Sequence, residues 1–143
     1  MDRLIENQIS SYLKSQSRNK IVFYKDNIFD FPAIDVGNLL AQAIFNLKDE
    51  IKLPMRVSSE LDLILNATII DHKSYGRILA ISNIGILLEP DLKQDFNRLL
   101  ENNSNSNALF VHWTGEIDEE YIYFQTKDQG KKINIKNLSH ITL

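Results

Sequence analysis

The residues whose types and spacing could do chemistry gather at the ends of two apolar runs. Ile78–Ile81 is followed by Ser82 and Asn83, and Ala108–Val111 by His112 and Trp113. Consecutive apolar positions suit strands covered on both faces, as in a parallel sheet. In open α/β sheets, ligands bind outside the carboxyl ends of such strands. An imidazole next to an indole there could hold a small ligand or move a proton; the plainer reading is a strand tip closed by its own residues. Asn83, His112 and Trp113, together with Asn103 and Asn105 of the polar NNSNSN loop, make up the candidate rim for a ligand or partner.

Other chemistry is poorly provided for. A phosphate-binding loop needs glycines that let successive amides wrap a phosphate, and a lysine to neutralise it. The five glycines stand at 37, 76, 85, 115 and 130, and none lies in a GxxxxGK[ST] or GxGxxG setting. Gly130-Lys131 has Gln125 where the first glycine would stand and an apolar run after it, so it reads as a hairpin turn. His72, His112 and His140 are too far apart for two imidazoles on one helix face. They read as a surface turn, a strand end and a terminal segment. The chain has no cysteine, hence no thiol nucleophile, disulfide or cysteine metal site. No catalytic, cofactor-binding or metal-ligating residue is assigned, and no cofactor is expected.

Charge is segregated although the net is only -3. Lys14, Arg18, Lys20 and Lys25 fall in a stretch without acids, interleaved with Phe23 and Tyr24. Residues 89–120 carry eight acids against Lys93 and Arg98. Such asymmetry could orient a charged partner or reflect nothing more than solvated faces. Asp118, Glu119 and Glu120 form the candidate acidic interface. Cations among aromatics suit nucleic acid, but aromatics in an apolar strand belong more often to a core, so direct nucleic-acid contact is not the favoured reading.

The elements that position these residues follow from periodicity. Ile5, Ile9 and Tyr12 make a narrow helical stripe in the N-terminal stretch. KIVFY, residues 20–24, is a first buried strand. Asp35 caps a helix whose face includes Val36, Leu39, Leu40, Ala43, Ile44 and Leu47. A second helix is expected from Ser58 or Ser59, with Leu61, Ile64, Leu65, Thr68 and Ile69 on its apolar side, and 52–56 is a connection. DHKSYG, residues 71–76, is a polar turn. Pro90 opens a third helix that buries Leu92, Phe96, Leu99 and Leu100. Tyr121–Gln125 and Lys132–Ile135 form an antiparallel hairpin. The fold expected is α/β: a single-domain three-layer sandwich over 1–143, with a mainly parallel central sheet. An N-terminal helix lies within 1–17, the α/β core spans 20–113, and the C-terminal hairpin and tail span 119–143. No run reaches the length of a membrane span, and the N-terminus has no apolar secretory core, so a cytoplasmic protein is expected.

RILAISNIGILLEPDLKQDFNRLLENNSNSNALFVHWTGE, followed by YIYFQTKDQGKKINI, resembles the second half of the small P-loop protein of bacterial phage-exclusion (BREX) systems, the BrxF-like family. AIDVGNLLAQAIFNL is similar to that family's second strand and helix, and the resemblance extends over residues 33–143. The family's Walker A loop has no counterpart here, its Walker B acid falls on Ser82 and the next acid on Gly85. A serine does not hold the water shell of magnesium as a carboxylate does, and a glycine cannot orient an attacking water. The resemblance implies a non-catalytic pseudo-NTPase subunit bound to larger proteins of a phage-defence or DNA-modification complex. The alternative is a free-standing immunity or antitoxin-like inhibitor using its acidic segment against a basic enzyme surface. A third reading is a small enzyme or nucleotide sensor built on His112 and Trp113.

Overall fold

The computed structural model describes residues 2–46, 52–124 and 130–143. Its centre is a six-stranded sheet. β1 (Ile21–Tyr24), β2 (Ile34–Asp35), β4 (Gly76–Ser82), β5 (Ala108–His112) and β8 (Ile141–Thr142) run parallel in the order β2-β4-β5-β1-β8. β3 (Ile70–His72) is antiparallel to the start of β4. The two apolar runs are adjacent parallel strands, with Ile78 opposite Ala108 and Ile81 opposite Val111.

Alternation along the inner strands divides the core. Ile21, Phe23, Leu79, Ile81, Leu109 and Val111 point to one face. Val22, Tyr24, Ile78, Ala80, Ala108 and Phe110 point to the other. Both faces are covered, and for this reason the strands read as unbroken apolar runs. The first face carries α2 (Val36–Phe45), α3 (Leu53–Thr68), α4 (Phe96–Asn102) and the hairpin of β6 (Tyr121–Tyr123) and β7 (Lys132–Asn134). The second carries α1 (Arg3–Lys14), whose Ile9 is fully buried, and the segment 25–33 through Phe29 and Phe31. The N-terminal stripe therefore covers the chain's own sheet.

Connections that move from β2 towards β8 cross the first face, and the one return, from β1 to β2, crosses the second. All crossovers thus have one hand, as parallel sheets require. The return is made by residues 25–33, which contain no glycine and no helix. They are held by ring contacts instead: Phe29 meets Tyr24 at 4.9 Å and Phe110 at 5.1 Å, and Phe31 meets Phe110 at 5.2 Å. The strand–loop–helix unit of a P-loop does not follow the first strand.

Several boundaries differ from expectation. α3 starts at Leu53, not at Ser58, with Pro54 in its first turn, a position where proline's missing N–H costs nothing. Pro90 opens only a 3-10 turn, Pro90–Leu92, which follows another over Gly85–Leu88. Lys93 then takes a left-handed conformation (φ 49°), and α4 begins at Phe96 with the Asp95 carboxylate accepting from the Arg98 amide. Asp71 and His72 of the expected polar turn belong to β3 and Gly76 opens β4, so the turn itself is shorter. Two strands of two residues each, β2 and β8, had no visible signature. Leu47 of the expected helical face and Gln125 of the expected hairpin lie outside the described residues. No described helix is long and apolar enough to cross a membrane.

Candidate functional site at the carboxyl edge of the sheet

Parallel pairing puts the ends of β1, β2, β4, β5 and β8 on one edge. The chain leaves β1 over one face and β5 over the other, so their tips flank the topological switch point, where α/β sheets open a crevice. Here the molecule's own groups close it. His112 Nε2 donates to the Lys25 carbonyl at 3.0 Å, a contact that requires the proton on Nε2 because a carbonyl can only accept. The Trp113 amide donates to the Tyr24 carbonyl at 2.9 Å, extending the β1–β5 ladder by one bond. The Trp113 indole packs against Phe124 at 4.5 Å, and its Nε1–H donates to the Glu116 carbonyl at 3.3 Å. Gly115 leaves little spare room beneath it, since a Cβ there would stand 3.0 Å from the indole nitrogen and 3.1 Å from the Tyr123 carbonyl.

The end of β4 is closed in the same way. Ser82 Oγ donates to the Ile34 carbonyl at 3.3 Å. Asn83 is left-handed (φ 54°), a conformation asparagine tolerates better than most residues. Its side-chain amide donates to Asp35 Oδ1 at 2.8 Å, and the same oxygen accepts from the Asn38 amide at the start of α2. These two bonds hold the Asp35 carboxyl below its ordinary range, the Asn38 amide contributing most. Gly37 is in close contact with Asn83, leaving no room for a side chain. An acid does stand beside Ser82, then, supplied by β2 and engaged in joining β2 to β4. The sequence marked Asp35 only as a helix cap, because a two-residue strand leaves no periodicity to read.

The candidate rim is divided by the fold. Asn83, His112 and Trp113 share the carboxyl edge, but Asn103 and Asn105 precede β5 and lie at the amino edge. There Asn103 ends α4 and donates to the Leu99 carbonyl at 2.8 Å. Asn105 Oδ1 accepts from Asn19 at 3.1 Å. Asn19, almost fully buried, also donates to Ser104 Oγ at 3.0 Å. Nearby, the Tyr12 hydroxyl meets the Asn19 and Ser139 carbonyls, each at 2.9 Å, and accepts from the Ile21 amide at 2.8 Å. Lys20 Nζ is bonded to Tyr12, Ser15 and Ser17 around the end of α1. With Phe23 and Tyr24 in the core, the interleaved cations and aromatics of 14–25 do not form one surface.

The acidic stretch is dispersed as well. Glu101 pairs with Arg18 at 2.9 Å. Asp118 is the nucleus of a turn: it accepts from the Glu120 and Tyr121 amides at 2.9 and 2.8 Å and from the Tyr123 hydroxyl at 2.5 Å. That hydroxyl's pKa is pushed up to about 12, above all because Asp118 holds its proton. Glu119 and Glu120 are exposed.

His72 is bonded at both ring nitrogens. Nε2 meets Asp30 at 2.8 Å, while Nδ1 accepts from the Ser74 and Tyr75 amides at 3.1 and 3.3 Å. An Asp–His pair whose second nitrogen is bound to backbone amides positions a turn and has no lone pair for a substrate. His140 donates to the Leu138 carbonyl at 2.9 Å and lies edge-on to Phe23. Among the described residues, no three acids or histidines are grouped to hold a metal ion.

Open space at this edge lies mainly beside the strand tips. A cleft of about 630 Å³ separates 87–97 from β7 and the residues flanking it, and a second of about 560 Å³ lies between Gly85–Pro90, Trp113, Phe124 and Lys131. A smaller one of about 340 Å³, beside Tyr24, Lys25, Glu116 and Thr142, borders the switch point itself. In comparison with known proteins, the chain matches no family model, no curated protein and no solved structure.

Proposed function

We propose that the protein is a non-catalytic α/β scaffold that acts by protein–protein binding, as an accessory or assembly subunit of a bacterial phage-defence or DNA-modification complex in the cytoplasm. The observation that carries this reading is the closed switch point. His112, Trp113, Ser82 and Asn83 occupy the positions where an α/β enzyme keeps reactive groups, and each is bonded to the chain's own backbone or to Asp35. His112 gives its Nε2 proton to the Lys25 carbonyl, which fixes the ring against the end of β1 and leaves Nδ1 as its one lone pair. The glycine-free path from β1 to β2 supports the same reading, since no run of amides there can wrap a triphosphate.

Two measurements test it. Incubated with ATP or GTP and magnesium, the protein releases no phosphate above the buffer rate; turnover abolished by His112→Ala or Asp35→Asn would retire the scaffold reading in favour of an enzyme. Co-expressed with the products of its own operon, it co-elutes with a larger companion. Elution as a lone monomer in the presence of each of those products would count against assembly.

A further inference from the structure

The turn from β3 to β4 is organised by one side chain. The His72 side chain is only 11% exposed and is bonded at both ring nitrogens. Because an amide N–H can only donate, Nδ1, which faces the Ser74 and Tyr75 amides at 3.1 and 3.3 Å, must carry the lone pair. The proton of the neutral ring therefore sits on Nε2 and is given to Asp30 Oδ1 at 2.8 Å. That bond, above all, holds the Asp30 carboxyl below its ordinary range. The ring lies flat on Tyr75 at 4.7 Å and edge-on to Phe31 at 5.4 Å, and Tyr75 reaches Phe110 at 5.6 Å. One imidazole thus folds the turn and ties it to the segment 25–33.

Its two sets of partners make opposite demands on a second proton. The Asp30 carboxylate favours an imidazolium. The amides oppose it, since the only place for the proton is Nδ1, where it would point at two N–H donors. An imidazolium has no acceptor. Among the described residues, Asp30 is the one side chain hydrogen-bonded to the ring. Lys73, next in the chain, acts on Asp30 from a distance, and Glu6 of α1 acts with Asp30 on the Tyr75 hydroxyl. Asp71 and Arg77 stand opposite each other across β3–β4, next to the His72–Gly76 pair.

We infer that His72 is a proton-operated latch: on taking a proton at Nδ1 it keeps Asp30 and releases the Ser74 and Tyr75 amides, loosening the turn. β3 pairs with β4 alone, so the loosening falls at an edge of the sheet. The latch is independent of the assembly reading, and either one can fail alone.

The test is nitrogen-resolved NMR of the full chain as pH is lowered through the range in which histidines titrate. Ring spectra should place the neutral ring's proton on Nε2 and the second proton on Nδ1. Hydrogen-exchange protection of the Ser74 and Tyr75 amides, corrected for intrinsic rates, should fall by about tenfold as His72 titrates, the loss expected for one hydrogen bond. In His72→Asn the side-chain oxygen can accept amides two and three residues on, as in an Asx-turn, and cannot titrate, so protection should persist across the range. Asp30→Asn removes the charge that favours the imidazolium and should move the release to lower pH. The inference is overturned if the neutral ring carries its proton on Nδ1, or if His72 stays neutral until the chain unfolds in acid. It is equally overturned if protection of both amides is unchanged while His72 titrates, if the loss persists in His72→Asn, or if Asp30→Asn leaves the release where it was.

Discussion

The two edges of the sheet are built from similar residues and use them differently. At the amino edge, Asn19, Ser104 and the Tyr12 hydroxyl are withdrawn from water and bonded to one another, to backbone carbonyls and to the start of β1. At the carboxyl edge, the side chains of His112, Trp113, Asn83 and Asp35 make only one or two bonds each, close to solvent, and stand beside open clefts. The difference shows that polar composition does not locate a binding rim. What separates the edges is whether a group's bonds are spent in shielded surroundings, where losing one leaves a partner unsatisfied, or near water, which can replace it.

That contrast can be broken by mutation. Asn19→Ala removes the bonds to Ser104 and Asn105 from a buried position and should cost about 2–3 kcal/mol in urea unfolding. Tyr12→Phe leaves the Ile21 amide without its acceptor and should cost about 1–2 kcal/mol. His112→Ala, at the other edge, should cost less than about 1 kcal/mol, because water can reach the Lys25 carbonyl. If His112→Ala proved the most damaging of the three, the distinction would collapse and the carboxyl edge would be the structural one.

The smallest effect is in pH dependence. Tyr123 and Tyr24 both have hydroxyls raised to about 12 from the ordinary 10.0, the first by Asp118 and the second by burial. A group with a raised folded pKa stabilises the protein fully below its unfolded value, and that contribution is lost as pH rises through the folded one. Alkaline unfolding should therefore set in between pH 10 and about 12. Asp118→Asn should move one tyrosinate absorbance transition back towards 10.0 and leave the Tyr24 transition in place.

The parts of the fold legible in the sequence were those with several turns or a covered face. IVFY, Ile78–Ile81, Ala108–Val111 and the α2 face each carry enough consecutive apolar positions to define a period or its absence. β2 and β8 have two residues each and acquire strand geometry only from Ile81, Ser82, Val22 and Phe23 beside them. α3 begins five residues before the expected Ser58 because Pro54, which in sequence resembles a break, suits a first helical turn. The candidate site was half legible. The apolar runs mark where β4 and β5 end, but composition alone also groups Asn103 and Asn105 with those ends. Only the direction of β5 places those residues at the far edge. Asp35 reads as a helix cap, which its bond to the Asn38 amide bears out, whereas its bond to Asn83 has no sign in the sequence because the two lie in segments distant from each other.

Strand order also imposes a timetable on folding. β1 is synthesised first among the strands and ends in the middle of the sheet, between β5 and β8. Nothing can pair with Ile21–Tyr24 until Ala108–His112 has left the ribosome, and its other side waits for Ile141 and Thr142. Only α1 and the aromatic segment 25–33 are at hand to shelter one of its faces in the meantime, while Ile21 and Phe23 wait for Leu109 and Val111. Distant parallel pairing of this kind is slow to close and exposed to aggregation while open. The contacts among Tyr24, Phe29 and Phe31 are local in sequence, so closing them costs little chain entropy compared with pairing β1 to the distant β5 and β8.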